Sequence, residues 1–530
     1  MSASSRRSRR AAAACALAAA LAAGAAQAGG ALTVCTESAP DGFDIAQSES
    51  AVTHDAVGMM LYDQLVMYRR GTTELVPGLA ERWEISADGR VYTLHLRAGV
   101  RFHGTPWFTP TRTMNADDVL FSVRRMAEPK GPWQAIAKNG YGMWVGSGLA
   151  EQVKAVDKVD AMTVRFTLTK PSAPFLLNLA QTFTGSVFSA EYAAQLLAAG
   201  KPELINVRPV GTGPFVFRSY QKDAVIRYDR HTAYWGDAPQ FDKLVFAITP
   251  DANVRVQRLK AGECLVGANM RGESANAFDG TPMRMLGNTP LLTSYIALNT
   301  KRRFLSDPRF RQALALAFDR ASYIRSVYGG RAVAASSFLP PVQWSHDPGL
   351  QMAHDPERAK QLVKDSGYDG SELAIFTRIG GSIDGKRAAE LMQADWARIG
   401  VKARVQMMEW GEMLKRTGKG EHDITFLSWA GGGDPDDYFS ANLSCAGVAS
   451  GGNKSQWCQP EFDAVLEQAR ATTDRDQRSA LYRRAQRMVF DAVPVIPTVY
   501  PQHFTAVHES VRGFVHGPLS DLDFRKVSAP

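Results

Sequence analysis

From residue 386 to residue 407 the chain reads KRAAELMQADWARIGVKARVQM. Leu391, Met392, Trp396 and Ile399 fall on one side of a helix, Gly400 stops it, and an alternating strand follows at once. A helix that ends on glycine and turns directly into a strand has to lay its apolar face on the sheet the strand joins. That requirement points to α/β organisation. The same punctuation recurs. Asp307-Pro308 opens a helix carrying Phe310, Leu314, Ala317 and Phe318, and Gly329-Gly330 closes it. Asp355-Pro356 opens another, closed by Gly367, and a long helix is predicted over 461–491, stopped by Pro494. Segments 31–35, 91–96, 163–168 and 225–228 alternate as half-buried strands do. No short repeat or low-complexity linker divides the 530 residues, so the two or three domains this length allows share chain crossings.

The charge balance excludes one class of partner. The net charge of +8 includes four arginines, Arg6, Arg7, Arg9 and Arg10, in an N-terminal stretch without acids. Without residues 1–28 the chain carries 57 basic and 53 acidic side chains, or +4. No basic stripe with interleaved aromatics is present, so nucleic acid is not an expected ligand. The first 28 residues run from a basic start through an Ala/Leu stretch to Ala26-Gln27-Ala28. This is the order of a cleaved secretory signal, with cleavage expected after Ala28. The apolar run continues past Cys15, which argues against a lipoprotein, and the paired arginines leave Sec and twin-arginine export both open. A soluble, exported protein is expected.

The remaining cysteines are Cys35, Cys264, Cys445 and Cys458, without a C-x-x-C pair. In an oxidising compartment four cysteines suggest two disulfides, with three possible pairings. Cys445 and Cys458 form the natural local bridge, which leaves Cys35 for Cys264.

Catalytic signatures are missing. There is no H-E-x-x-H, no G-x-S-x-G and no G-x-x-x-x-G-K-[ST]. Gly211-Thr212-Gly213-Pro214-Phe215 begins like a dinucleotide loop, but Val216 stands where a third small residue belongs, and Pro214 suggests a rigid turn. The ten histidines are scattered. No enzyme activity, metal or cofactor is expected.

The segment LSWAGGGDPDDYF (427–439) calls for an explanation, because it clusters acids behind three glycines. It lacks the spacing of oxygen ligands that calcium requires. GTGPF (211–215), AYWG (233–236), LVFAITPDANVR (244–255), LVPGLAERWEISADGRVYTLHLRAGVRFH (75–103), NADDVLFS (115–122) and DPRFRQALALAFDR (307–320) together resemble the extracytoplasmic solute-binding proteins, family 5, of peptide ABC transporters. The similarity is strongest to the dipeptide-binding members, covers essentially the whole mature chain, and matches all four mature cysteines to their two bridges.

That resemblance implies a cluster-C periplasmic binding protein: two α/β lobes around a ligand cleft, with an additional domain inserted in the first. The first lobe would use 29–61, 210–288 and 500–530, the additional domain 62–209, and the second lobe 289–499. It implies a periplasmic monomer that captures dipeptides or short peptides and delivers them to an inner-membrane ABC permease. In the dipeptide-binding members an aspartate three residues after the tryptophan pairs with the peptide's α-ammonium. In this chain Gly432 holds that place, and the loop is one residue shorter. The carboxylate-anchoring loop is shortened to TRIGGSID (377–384), with Arg378 as its nearest arginine. Gln47-Ser48-Glu49-Ser50 occupies a stretch that contacts the peptide backbone in relatives. Candidate ligand-binding residues are therefore Trp429, Gly431, Asp434, Asp436, Arg378, Glu49 and Ser50. Asp434, Asp436 or Glu49 could replace the missing acid, while Asp434 and Asp436 could equally cap a helix at 437–443. Trp429 could be ligand platform or core. A carrier of haem or a metal chelate and a secreted peptidase are the competing readings; the sequence offers neither a His/Cys-rich cluster nor a nucleophile motif.

Overall fold

A computed structural model describes residues 30–137, 140–379 and 385–530; the N-terminal segment read as an export signal and residues 380–384 of the TRIGGSID loop lie outside them. A seven-stranded sheet runs in the order Met283–Asn288, His503–His508, Val266–Met270, Ala31–Thr36, Lys243–Ile248, Val225–Arg230, Phe215–Gln221. Ala31–Thr36 is parallel to both its neighbours, and the other pairings are antiparallel. A second sheet of six strands has the order Ala332–Ala334, Val495–Pro501, Leu292–Leu298, Ile424–Ala430, Leu373–Arg378, Ala403–Met408. The last two of these strands are parallel, as the helix-glycine-strand reading requires, with Gly385–Arg398 as the crossover. Gly400, at φ 85°, makes the turn between them, in a backbone region open to glycine. A four-stranded antiparallel sheet, Ala80–Ile85, Val91–Leu96, Thr163–Leu168, Val153–Asp160, forms a third body.

The chain leaves the first sheet for the second at 289–291 and returns at Gln502. The apolar side chains of the first and third bodies form one continuous core: Val34, Phe215 and Phe246 belong to the same cluster as Trp144, Phe166 and Phe175. The six-stranded sheet has separate cores on its two faces, one around Trp396 and Phe310 and one around Tyr438, Phe439 and Tyr482. Two short passages therefore join two separately packed halves.

Most caps form as read. Asp307 accepts from Arg309 N at 2.8 Å and Asp355 from Arg358 N at 2.9 Å, each followed by proline in the first turn. Two helices differ from the expectation. The segment after Asp307 is two helices, Pro308–Ala317 and Arg320–Tyr328, because Asp319 caps a new start by accepting from Ser322 N at 2.9 Å. The helix read over 461–491 breaks into Pro460–Ala471 and Arg475–Ala492, where Asp474 accepts from Gln477 N at 2.8 Å. In both cases an aspartate caps the start of a second helix, at Asp319 inside an apolar-periodic run and at Asp474 inside the polar stretch TTDRDQRS (472–479).

Both disulfides form in the expected pairing, with S–S distances of 2.08 Å for Cys35–Cys264 and 2.01 Å for Cys445–Cys458. Among the described residues no helix is long and apolar enough to cross a membrane.

The Gly211-Thr212-Gly213 motif is a packing device. A Cβ on Gly211 would overlap the Leu61 carbonyl oxygen, and one on Gly213 would lie 2.5 Å from the Leu61 carbonyl carbon. Thr212 Oγ1 donates to the buried Asp63 carboxylate at 2.9 Å. His103 Nδ1 accepts from Gly211 N at 3.3 Å, which leaves its Nε2–H to donate to Gly213 O at 2.9 Å. This geometry suits only the neutral ring. Burial first, and then the neighbouring His231, push the His103 pKa down to about 3. The unfolded chain takes up this proton near pH 6.5 while the fold refuses it, so the histidine's contribution is complete above pH 6.5 and is lost as pH falls toward 3. His103→Gln, which keeps a donor and an acceptor, is expected to gain about 2 kcal/mol on the wild type between about pH 7.5 and pH 5 in urea titrations. A difference that does not change with pH would contradict this account.

Candidate functional site

The glycine loop lies where the two halves meet. Strand Ile424–Ala430 pairs with Leu292–Leu298, and Gly431 N then donates to Leu291 O at 2.8 Å, inside one of the two crossings. A Cβ on Gly431 would overlap the Tyr438 ring, so only glycine lets the backbone lie on that fully buried side chain. Gln343 Nε2 donates to Gly432 O at 2.9 Å and Trp344 Nε1 to Gly433 O at 3.3 Å, which holds the loop from the second half. From the other side come Tyr68 and Leu177, each 3.3 Å from the position of a Cβ on Gly433, and Gln181, whose Nε2 lies 3.2 Å from that of Gly432. Gln181 also donates to Tyr68 Oη at 3.3 Å. At the outer rim Ala173 N donates to Arg470 O at 3.2 Å, and Lys170 lies 3.5 Å from Glu467. The two halves therefore meet along this loop.

The structure distributes the loop's acids unequally. Asp434 is the N-cap of helix Pro435–Leu443, accepting from Asp436 N at 3.0 Å, and is 4% exposed. Its carboxylate pairs with Arg478 at 2.9 Å, and Tyr482 Oη donates to it at 3.4 Å. Asp436 pairs with Arg470 at 2.9 Å. The expectation that Asp434 or Asp436 stands in for the missing acid thus meets a physical obstacle: each already neutralises a guanidinium of its own half. The capping alternative describes Asp434. Asp437 is not among the candidates that the sequence singles out. Its Oδ2 accepts from Gly432 N at 2.6 Å, no cation pairs with it among the described residues, and it is partly exposed. Burial, followed by the charges of Asp436 and Asp434 and partly offset by the Gly432 N–H, pushes its pKa up to about 6. A local signal for it exists: in Asp-Pro-Asp-Asp the first acid caps, and the acid three residues later is placed to reach back over the entry loop.

The other candidates are dispersed. Trp429 is half-buried against the Tyr438 core, and its indole N–H has no hydrogen-bond partner among the described residues, so at least one face of it is core. Arg378 ends strand Leu373–Arg378, its guanidinium 4.9 Å from the Trp410 ring centroid. Ser50 caps the short helix Ala51–Thr53, accepting from Thr53 N at 3.4 Å. Glu49 is exposed and its carboxylate lies over Gly142, where a Cβ would collide with it. The loop of residues 431–433 and Asp437 are brought together; Arg378 and Glu49 do not join them in any described contact. Tyr68 and Gln181 escape a reading of the sequence because nothing local relates them to a loop hundreds of residues away. Among the described residues no group of three His, Cys, Asp or Glu side chains could hold a metal ion.

Two α/β bodies joined by two short passages and meeting at this loop have the two-lobe organisation of a solute-binding protein. Residues 74–450 match the bacterial extracellular solute-binding proteins, family 5, and the chain belongs to that family. It is 46% identical over 504 residues to di/tripeptide-binding protein 4 of Pseudomonas aeruginosa, with 94% of each chain covered. HbpA2 from Haemophilus parasuis superposes with a TM-score of 0.88 at 36% identity, covering 94% of this chain and all of that one. The dipeptide-binding protein of Pseudoalteromonas sp. SM9913, in complex with Met-Leu, superposes with a TM-score of 0.81 at 33% identity over 94% of this chain and 100% of its own.

Proposed function

We propose that the protein binds dipeptides and similarly short peptides in the cleft between its halves and passes them to an inner-membrane ABC permease. The observation that carries this reading is the loop 431–437: a glycine backbone that crosses close to the opposing half, followed by a partly exposed carboxylate with no cation paired to it among the described residues. The relatives named for di- and tripeptides and for Met-Leu share this architecture over nearly the full chain. In this reading the first lobe comprises 29–61, 210–288 and 500–530, the additional domain 62–209 and the second lobe 289–499. The mature chain begins after Ala28 and acts in the periplasm as a monomer. The shared core of the first lobe and the additional domain makes them move as one, with 289–291 and Gln502 as the flexing passages.

Isothermal titration with Met-Leu and with trialanine tests the reading. One of the two is expected to bind with micromolar or tighter affinity, raise the Tm and be recovered intact. Ligand at a hundredfold excess over Kd adds about 2.7 kcal/mol to stability, which a melting curve resolves. Absence of binding and of any Tm change with both peptides would reject the peptide class.

A further inference from the structure

We propose that the second half carries a separate binding site for a small oxyanion of the phosphate or sulfate type, in a cavity between the start of helix Pro308–Ala317 and the loop closed by the Cys445–Cys458 bridge. The cavity measures about 260 Å³ and includes Thr300, just past the Leu298 end of strand Leu292–Leu298. The glycine loop follows the opposite end, where Ala430 pairs with Leu292, so roughly 20 Å of strand separates the two places. The volume falls below the roughly 300 Å³ at which pockets for drug-sized ligands begin, so the occupant is small. Its lining contains two cations, Lys301 and Arg311, and no acid. Arg311 is 5% exposed and forms no ion pair among the described residues. Its partners are carbonyl oxygens: Nε donates to Ala492 O at 2.9 Å and Val493 O at 3.1 Å, Nη1 to Leu305 O at 2.7 Å and Ser306 O at 3.1 Å, and Nη2 to Ala492 O at 2.5 Å. These bonds staple the end of helix Arg475–Ala492 and leave one Nη2–H over. Carbonyls solvate the guanidinium without neutralising it. Burial lowers its pKa to about 10, and the charge of Asp307 opposes this only in part. Lys301 is exposed, and its ammonium, the Ser306 hydroxyl and the Gln459 amide have no protein partner among the described residues. Gln459 holds the N-cap position of Pro460–Ala471 without capping it, so its amide is free to serve the cavity. A polar space with two positive charges, several spare donors and no acid suits an anion with several oxygens, and a buried cation without a counter-charge gains most from one.

The test follows the phosphorus NMR line of inorganic phosphate as protein is added, at an ionic strength fixed with sodium chloride. The line is expected to broaden saturably, with a Kd on the order of 1 mM, and to sharpen again when sulfate is added. Lys301→Gln should weaken binding about fivefold, the effect of one exposed charge. Lys301→Glu places a carboxylate at the cavity and should abolish the broadening. Both variants change an exposed side chain without protein partners, so their Tm in chloride should match that of the wild type. Lys364→Glu, the same charge reversal at an exposed position of helix Pro356–Asp365, should bind phosphate as the wild type does. Affinity for Met-Leu should be the same with and without phosphate. Absence of broadening in the wild type, broadening that survives Lys301→Glu, or an equal loss in Lys364→Glu would overturn the site. Displacement of Met-Leu by phosphate would also overturn it, by placing the anion between the halves. A wild type that binds phosphate but neither Met-Leu nor trialanine would reject the peptide reading and leave this site standing.

Discussion

Asp44→Asn is expected to destabilise the protein by about 3–5 kcal/mol, seen as a fall in the urea midpoint. The side chains of Asp44 and Arg125 pair with no solvent exposure at all. The Arg125 guanidinium is ringed by Phe188, Tyr141, Trp133 and Phe121, at 4.5, 5.4, 5.5 and 5.7 Å from their centroids. Asparagine preserves the volume but leaves a cation that cannot discharge at any accessible pH inside an aromatic cage. Cation–π attraction of about 2 kcal/mol per desolvated ring face offsets part of this and does not replace a counter-ion. Asp44 precedes the short helix Ile45–Gln47 that follows the first strand, and Arg125 belongs to helix Ala116–Ala127 beside the four-stranded sheet, so the loss falls where the first and third bodies share their core. Asp44→Asn combined with Arg125→Met removes the orphaned charge and should recover most of the stability. A single variant that loses under about 1 kcal/mol would mean that water reaches the pair.

Asp434→Ala is the second large effect, and it separates stability from binding at the loop. Loss of the cap costs about 1 kcal/mol. Leaving Arg478, 7% exposed, without its carboxylate costs about 3–5 kcal/mol more. The remaining partners of Arg478, Ala469 O at 3.0 Å and Tyr482 Oη at 3.2 Å, solvate the guanidinium without neutralising it. Asp434→Asn retains a good cap and should lose only the second contribution. Thermal melts of the two variants, read beside calorimetry with Met-Leu, would show lowered Tm and, for the folded protein, little change in affinity. A folded Asp434→Asn with wild-type Tm and a tenfold weaker Kd for Met-Leu would place Asp434 at the ligand and contradict its structural role.

The elements are legible where the signal is local. Asp307-Pro308, Asp355-Pro356 and Gly400 each specify a helix end through their own backbone chemistry, and the structure places them so. The break at Asp319 is not legible, because the apolar spacing continues through it and no proline follows; the break at Asp474 does carry a local signal, since TTDRDQRS (472–479) has no apolar side chain and offers a capping aspartate. The glycine loop is legible as a place of close backbone approach. Its charge arrangement is not, because the partner of Asp434 lies in the helix Arg475–Ala492 and that of Asp436 at the end of Pro460–Ala471. Local sequence shows the acids after the tryptophan only as a surplus of negative charge. Which of them retains that charge is decided by arginines that tertiary packing delivers.

The position of strand His503–His508 bears on how the protein is made. It lies in the interior of the seven-stranded sheet, between Val266–Met270 and Met283–Asn288, although it is the last strand to leave the ribosome. Until it arrives, Val266–Met270 presents an unpaired edge and Met283–Asn288 has no partner in the sheet. Contacts between such distant stretches of chain form slowly and cannot begin before synthesis is nearly complete. The half of the molecule that starts first is thus the half that is sealed last. For a member of an extracellular family this ordering leaves the seven-stranded sheet incomplete until the chain has passed residue 508.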